Sequence, residues 1–142
     1  NKAVYGIFSD NSVTDHDGNL FDACSYASTA AILSSKIPKY EIKDEVPVLV
    51  EGEFTETPIT TIPISVTMAR IGEHIIVDPN SDEWMIMDAR ITITTNSDGN
   101  IVALQKGGGD GFTYEQLVKC SEISISVGSK IREIIKQSTQ GN

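Results

Sequence analysis

Four carboxylates bracket one tryptophan in the middle of the chain. They are Asp78, Asp82, Glu83 and Asp88, around Trp84. Carboxylates at such spacing can bind Mg²⁺ or act as a general acid and base. The same run is also typical of a solvated helix start, because acidic side chains are favourable near the N-terminus of a helix. The residues alone leave both interpretations open.

The other residues that could do chemistry lack partners at a useful spacing. His16 and His74 have no nearby acidic and nucleophilic residues, which favours ordinary turn or surface histidines. Cys24 and Cys120 stand far apart with no CxxC or Cys/His cluster, so they indicate neither a zinc site nor a disulfide framework. We expect both cysteines to be small core residues in a reducing cytoplasm.

A glycine-rich run, GGGDG at residues 107–111, precedes the last predicted helix. Backbone N–H groups at a helix N-terminus attract anions, so the run could in principle hold a phosphate. It lacks the Gly-Lys-Ser/Thr ending of a P-loop and the G-x-G-x-x-G spacing of a dinucleotide turn. Thr113 is also expected to cap that helix. We therefore predict a connector without a cofactor or metal.

The net charge of −9 restricts the function classes. A protein that grips nucleic acid alone usually carries a basic patch, so independent RNA binding is disfavoured. The hydrophobic fraction of 39% is that of a globular protein. The longest charge-free stretches, residues 23–35 and 57–69, are 13 residues each, too short for a membrane span.

Residues 15–19 are a cluster of turn formers between the first two predicted elements. Residues 3–14 are rich in β-formers and predict a strand that enters this turn. From Leu20 onward, small or apolar residues recur at spacings of three and four, which predicts a helix that ends near Lys36 and Pro38. Its contact face is predicted to consist of Leu20, Ala23, Cys24, Ala27, Ala30 and Ala31.

The rest of the chain predicts an α+β fold with an antiparallel four-stranded sheet. Residues 40–61 indicate short edge strands and a connector, hence a domain boundary. Two strands at 64–70 and 73–77, a short helix, and a hairpin at 90–94 and 101–105 follow. A capping box of Thr113 and Gln116 begins a helix to about residue 137. Its core stripe is predicted as Leu117, Cys120, Ile123, Val127, Ile131 and Ile134, with Arg132 among the cations near its end.

Several segments, in order and spacing, resemble the RNase PH family. They are DGNLFDA at 17–23, KIP at 36–38, PISVT at 63–67, ARIG at 69–72, VDP at 77–79, DE at 82–83, MDAR at 87–90 and LQKGG at 104–108. The chain is most similar to the non-catalytic subunits of archaeal exosome rings. This resemblance implies two similar domains, with residues 1–60 a remnant of the first plus a connector and residues 61–142 the second.

The resemblance also implies a function. Such a subunit alternates with a paralogous catalytic RNase PH-like subunit in a hexameric ring that degrades RNA phosphorolytically from the 3′ end, and RNA-binding cap subunits sit on the ring. The expected role is to structure the partner's active site in the cytoplasm, with RNA contacted only through the assembled complex. The alternatives are an active phosphate-dependent 3′-to-5′ exoribonuclease, or an unrelated binding domain or carboxylate-metal enzyme.

This chain departs from the family motif that holds the attacking phosphate. Active members carry a Gly-Ser-Arg-type motif before the alanine-rich helix, and the resemblance places Asn19, Leu20 and Phe21 there. Phenylalanine offers no charge-assisted hydrogen bond to phosphate. The acidic positions of active members match Asp78 and Asp88, which we expect to be vestigial, capping a helix or pairing with Arg90.

Overall fold

The computed structural model describes residues 4–139. The elements are α1 (Leu20–Ser34), β1 (Lys36–Lys43), β2 (Val46–Glu56), β3 (Ile64–Ile71), β4 (His74–Val77), α2 (Ser81–Ile86), β5 (Ala89–Thr95), β6 (Ile101–Gly108) and α3 (Tyr114–Thr139). β1 and β2 form a separate antiparallel hairpin, and the second sheet has the order β4-β3-β5-β6. The predicted α+β class and antiparallel four-stranded sheet are confirmed. No helix within residues 4–139 is long and apolar enough to cross a membrane.

The predicted first strand is wrong where it can be checked. Residues 4–14 form no strand, and Ala3 lies outside the described residues. A strand depends on ladder hydrogen bonds, and this segment pairs with neither sheet. It is instead attached by side chains, through the Tyr5 hydroxyl, which donates to Pro38 O at 3.1 Å, and through Asn11, which donates to Ser28.

Helix α3 packs on one face of the four-stranded sheet through a row of small residues. Val66, Met68, Ile91, Ile93 and Cys120 form the central core. Cys120, Ser124 and Gly128 follow one another at every fourth position and are all buried. A Cβ on Gly128 would lie 2.8 Å from Thr95 Oγ1. The missing side chain therefore sets how closely the helix approaches the sheet.

The end of α3 differs from the predicted stripe. Ile134 is 59% exposed, and Ile135, at 7%, takes its place in the core beside Ile62 and Ile64. Leu117 is also exposed. Arg132 is a buried clamp whose Nε donates to Ile62 O and whose Nη2 donates to Thr95 O, both at 2.8 Å. Arg132 therefore joins α3 to the segment before β3 and to the last residue of β5, in addition to any interaction with the helix dipole.

Helix α1 covers an open strand edge. β4 pairs only with residues 68–71 of β3, so the earlier half of β3 lacks a neighbour on that side. Side chains one helical turn apart supply the missing bonds: Asp22 accepts from Thr67 N at 2.7 Å, and the Tyr26 hydroxyl donates to Ser65 O at 2.8 Å. The predicted alanine face is only partly right, since Ala30 packs against the core beside Ile64 but Ala23, Ala27 and Ala31 are exposed. A strand edge needs hydrogen-bonding groups, which alanine cannot offer.

Candidate functional site

Asn19 joins two carboxylates at the start of α1. Its Nδ2 donates to Asp22 Oδ2 at 3.0 Å and to Asp78 Oδ1 at 2.6 Å, while its Oδ1 accepts from Asp22 N. Asn19 and Asp78 both adopt positive φ, at 38° and 57°, a conformation that Asn and Asp tolerate better than most residues. Burial raises the pKa of Asp22, and the negative charge of Asp78 adds to that shift, against hydrogen bonds from Asn19 and Thr67 that lower it.

Asp88 belongs to a different network from Asp78. It accepts from Gly72 N at 2.7 Å and from Arg70 Nη1 at 3.3 Å. Arg70 also pairs with Asp110 at 2.9 Å. The expected pairing of an acidic position with Arg90 is therefore wrong. Within residues 4–139 no group of three or more His, Cys, Asp and Glu side chains could hold a metal ion.

Arg90 instead contacts two aromatic rings. The rings of Phe21 and Trp84 are near-parallel, with centroids 6.3 Å apart. The guanidinium carbon of Arg90 lies 4.3 Å from the Phe21 centroid and 4.8 Å from that of Trp84, a cation–π arrangement. Its Nε is buried without a hydrogen-bond acceptor. Gly107 provides the space for the Arg90 side chain, because a Cβ at position 107 would lie 2.5 Å from Arg90 Nη2.

A groove of about 400 Å³ opens beside these rings. His16, Gly18, Asn19, Leu20, Phe21, Ser81, Trp84 and Met85 line it. Two further contacts tie its walls together. Asp17 accepts a hydrogen bond from Ser81 N at 3.2 Å. Gly18, at φ 92°, lies so close to the opposite wall that a Cβ would be 2.4 Å from Pro79 O.

The remaining acidic candidates support the helix-start interpretation. Asn80 caps α2 by accepting from Glu83 N, and Glu83 returns the contact to Asn80 N, both at 2.9 Å. Asp82 lies in the first turn of α2 and is exposed. Glu83 thus has a structural role in this short helix.

The histidines, cysteines and glycine-rich run do not form a second site in the described part of the chain. His16 lies in the groove, while His74 is exposed at the start of β4. Both cysteines are free, and burial raises the pKa of the Cys120 thiol, which disfavours its reactive thiolate. Gly107 and Gly108 belong to β6, and Asp110 pairs with Arg70. The sequence did not indicate the contacts of Arg90, because Phe21 lies far from it along the chain and Trp84 belongs to a different element, α2.

Comparison with known proteins shows the family. Residues 61–127 match the 3′ exoribonuclease family, domain 2. The exosome complex component Rrp42 of Thermococcus gammatolerans is 43% identical over 135 residues, and that of Pyrococcus horikoshii is 43% identical over 137 residues. Residues 61–127 belong to the RNase PH family as its second domain. The matches to the two relatives cover 94% of this chain but only 50% and 49% of the relatives, so the chain spans about half their length.

Solved structures agree with this assignment. An archaeal exosome core chain superposes with a TM-score of 0.73 at 37% identity, covering 86% of this chain and 47% of the other. A chain of the Archaeoglobus fulgidus exosome with RNA bound to the active site gives a TM-score of 0.71 at 37% identity, covering 84% and 44%. The assignment of Asn19, Leu20 and Phe21 to a degenerate phosphate motif, and of Asp78 and Asp88 to vestigial positions, stays a prediction.

Proposed function

We propose that this chain is the second-domain part of a non-catalytic exosome ring subunit, which structures the active site of a paralogous catalytic subunit in 3′-to-5′ phosphorolytic RNA degradation. The observation that carries the proposal is Phe21, whose ring stacks with Trp84 and lies under the Arg90 guanidinium. The resemblance to the family implies that active members carry their phosphate-binding arginine at this position. Residues 1–60 then correspond to the end of the first domain and a connector, and residues 61–142 to the second.

Loss of that arginine is large in energetic terms. A hydrogen bond to a charged group contributes about 1.5 to 3 kcal/mol, and arginine binds phosphate through two such bonds. Phe21 contributes none, and Asn19 uses its amide for Asp22 and Asp78. The net charge of −9 also opposes phosphate binding. These features favour a supporting role over the alternative of an active exoribonuclease.

The partners in this proposal are the catalytic paralogue, alternating with this subunit in a hexameric ring, and RNA-binding cap subunits. Support comes from the names of the relatives, which are exosome complex components, and from the archaeal exosome structures that the chain resembles. RNA would be contacted through the assembled complex. A cytoplasmic location completes the proposal, and the two free cysteines are compatible with that reducing compartment.

The test compares the purified catalytic partner alone with the same partner after assembly with the full-length subunit. Phosphate-dependent release of nucleoside diphosphates from poly(A) is measured, with a phosphate-free reaction as the control and sizing of the complex in parallel. We expect the assembled sample to be more active, because catalytic groups must be held close to their productive geometry. Equal activity in both samples would refute the proposal. Robust activity of the full-length subunit by itself would instead establish the exoribonuclease alternative.

A further inference from the structure

We propose that the groove between residues 16–21 and α2 docks an apolar side chain, flanked by basic residues, from the catalytic partner subunit. The inference rests on the proposed function and names the groove as a surface that contacts the catalytic partner. The groove is built from Leu20 and Phe21 on one side and from Trp84 and Met85 on the other.

The surface is apolar where it faces solvent. Met85 is 85% exposed, and its neighbour Ile86 is 64% exposed. Phe21 is also exposed on one side while its ring contacts Trp84 and Arg90. Single exposed apolar residues are common, but a concave cluster with aromatic residues at its centre marks an interaction site. Methionine adds a flexible side chain that adapts to a partner.

The groove is formed before any partner arrives. The Asp17 to Ser81 hydrogen bond and the close approach of Gly18 to Pro79 fix the distance between its walls. The Arg90 guanidinium contacts the ring of Phe21 and the ring of Trp84, which keeps both side chains in place. A preformed site avoids the cost of ordering side chains on binding, which otherwise reduces affinity.

The charge around the groove selects the occupant. Three exposed carboxylates, Asp15, Asp17 and Asp82, stand next to lining residues in the chain. Carboxylates repel the phosphates of RNA and attract lysine or arginine, which disfavours a nucleic acid and favours a protein segment with basic flanks. In the proposed function this acidic subunit does not bind RNA by itself. The catalytic partner must then supply the basic residues that bind RNA, which fits an occupant with basic flanks.

The first test uses the full-length subunit with Met85→Glu and measures its Kd for the catalytic partner. A buried charge in an apolar contact should weaken binding about tenfold or more, since central interface residues commonly carry such an effect. Ile134→Glu is the matched control, because Ile134 is another exposed apolar residue, at 59%, and lies outside the groove. That control should bind within about twofold of wild type. Unchanged binding by Met85→Glu, with an active complex still formed, would overturn the groove assignment and leave the proposed function intact.

The second test examines charge and occupant. Asp82→Asn should reduce the salt dependence of the Kd, because it removes one carboxylate beside the groove. Trp84 is the single tryptophan of the 142 residues, so the difference in emission between wild type and Trp84→Phe reports on the groove. We expect emission to change with the partner and not with oligo(A) alone. A response to oligo(A) would assign the groove to RNA, and no association with the partner would refute both proposals.

Discussion

Asp22 accepts two hydrogen bonds from Thr67, one from its backbone N–H and one from its hydroxyl, each 2.7 Å long. The pair connects α1 to the open edge of β3, and both residues are buried. The carboxylate therefore replaces part of a neighbouring strand. Burial raises the pKa of Asp22 even though the hydrogen bonds from Thr67 lower it, so ionising this carboxyl group costs the folded state stability.

The stability of the protein should thus depend on pH through Asp22. A carboxyl group whose pKa is raised by folding contributes stability that is fully present below its ordinary pKa of 3.8 and is lost as the pH rises through the folded-state pKa. Asp22→Asn does not titrate and keeps an acceptor oxygen for Thr67. We expect the variant to gain stability relative to wild type as the pH rises above 3.8. Urea unfolding between pH 3 and pH 7 measures this difference, with Ser25→Ala as a non-titrating control in the same interface. A constant offset for Asp22→Asn would contradict the prediction.

Gly128→Ala should destabilise the protein, although alanine has the higher helix propensity by about 1 kcal/mol. The new Cβ would lie 2.8 Å from Thr95 Oγ1, so α3 must move away from the sheet. Overpacking of this kind costs about 1 to 3 kcal/mol. Thermal unfolding checks the result. Ser126→Ala, on the exposed side of the same helix, should be neutral or stabilising, and a gain in stability for both variants would count against close packing at Gly128.

Ile134 and Ile135 form a matched pair for testing the orientation of α3. Ile135→Ala removes a side chain that is 7% exposed and should cost about 2 to 5 kcal/mol, whereas Ile134→Ala removes one that is 59% exposed and should cost less than about 1 kcal/mol. The free energy of unfolding in urea distinguishes them. The reverse order would restore the orientation predicted from the sequence.

Asp78→Asn and Asp88→Asn should leave RNA degradation by the assembled complex nearly unchanged. Their contacts in the structure are with Asn19 for Asp78 and with Arg70 and Gly72 for Asp88. General acid–base groups contribute about 10² to 10⁴-fold in rate, so a loss of that size with the complex intact would identify a catalytic carboxylate. Initial rates of diphosphate release, with sizing of each complex, provide the measurement.

Local signals in the sequence predicted much of the fold. The hairpin around Asp98 and Gly99 pairs Thr95 with Ile101, and Thr113 and Gln116 exchange the hydrogen bonds of a capping box. These elements were predictable because the residues that decide them lie within a few positions of one another. The resemblance of the motifs to a known family supplied the rest of the fold assignment.

The errors concern contacts between distant parts of the chain. Which face of α1 is buried depends on β3 having an unpaired edge, and no pattern inside the helix reveals that. The shift from Ile134 to Ile135 is a rotation of one residue on α3, set by the buried contacts of Gly128 and Arg132 with Thr95. Arg90 contacts two aromatic rings, whereas the sequence analysis predicted that it pairs with a carboxylate. Asp88 lies just before β5, and its carboxylate is bound by Arg70 and the N–H of Gly72, which belong to β3 and the turn after it.

The attachment of α1 to β3 bears on how the chain can be divided. The family match begins at residue 61, but Asp22 and Tyr26 supply hydrogen bonds to β3 that a fragment starting there would lose. Such a fragment would present the N–H of Thr67 and the carbonyl of Ser65 as a free edge, open to β-pairing with another molecule. The evolutionary boundary at residue 61 and the boundary of the cooperative folding unit are therefore different places in this chain, and α1 lies between them.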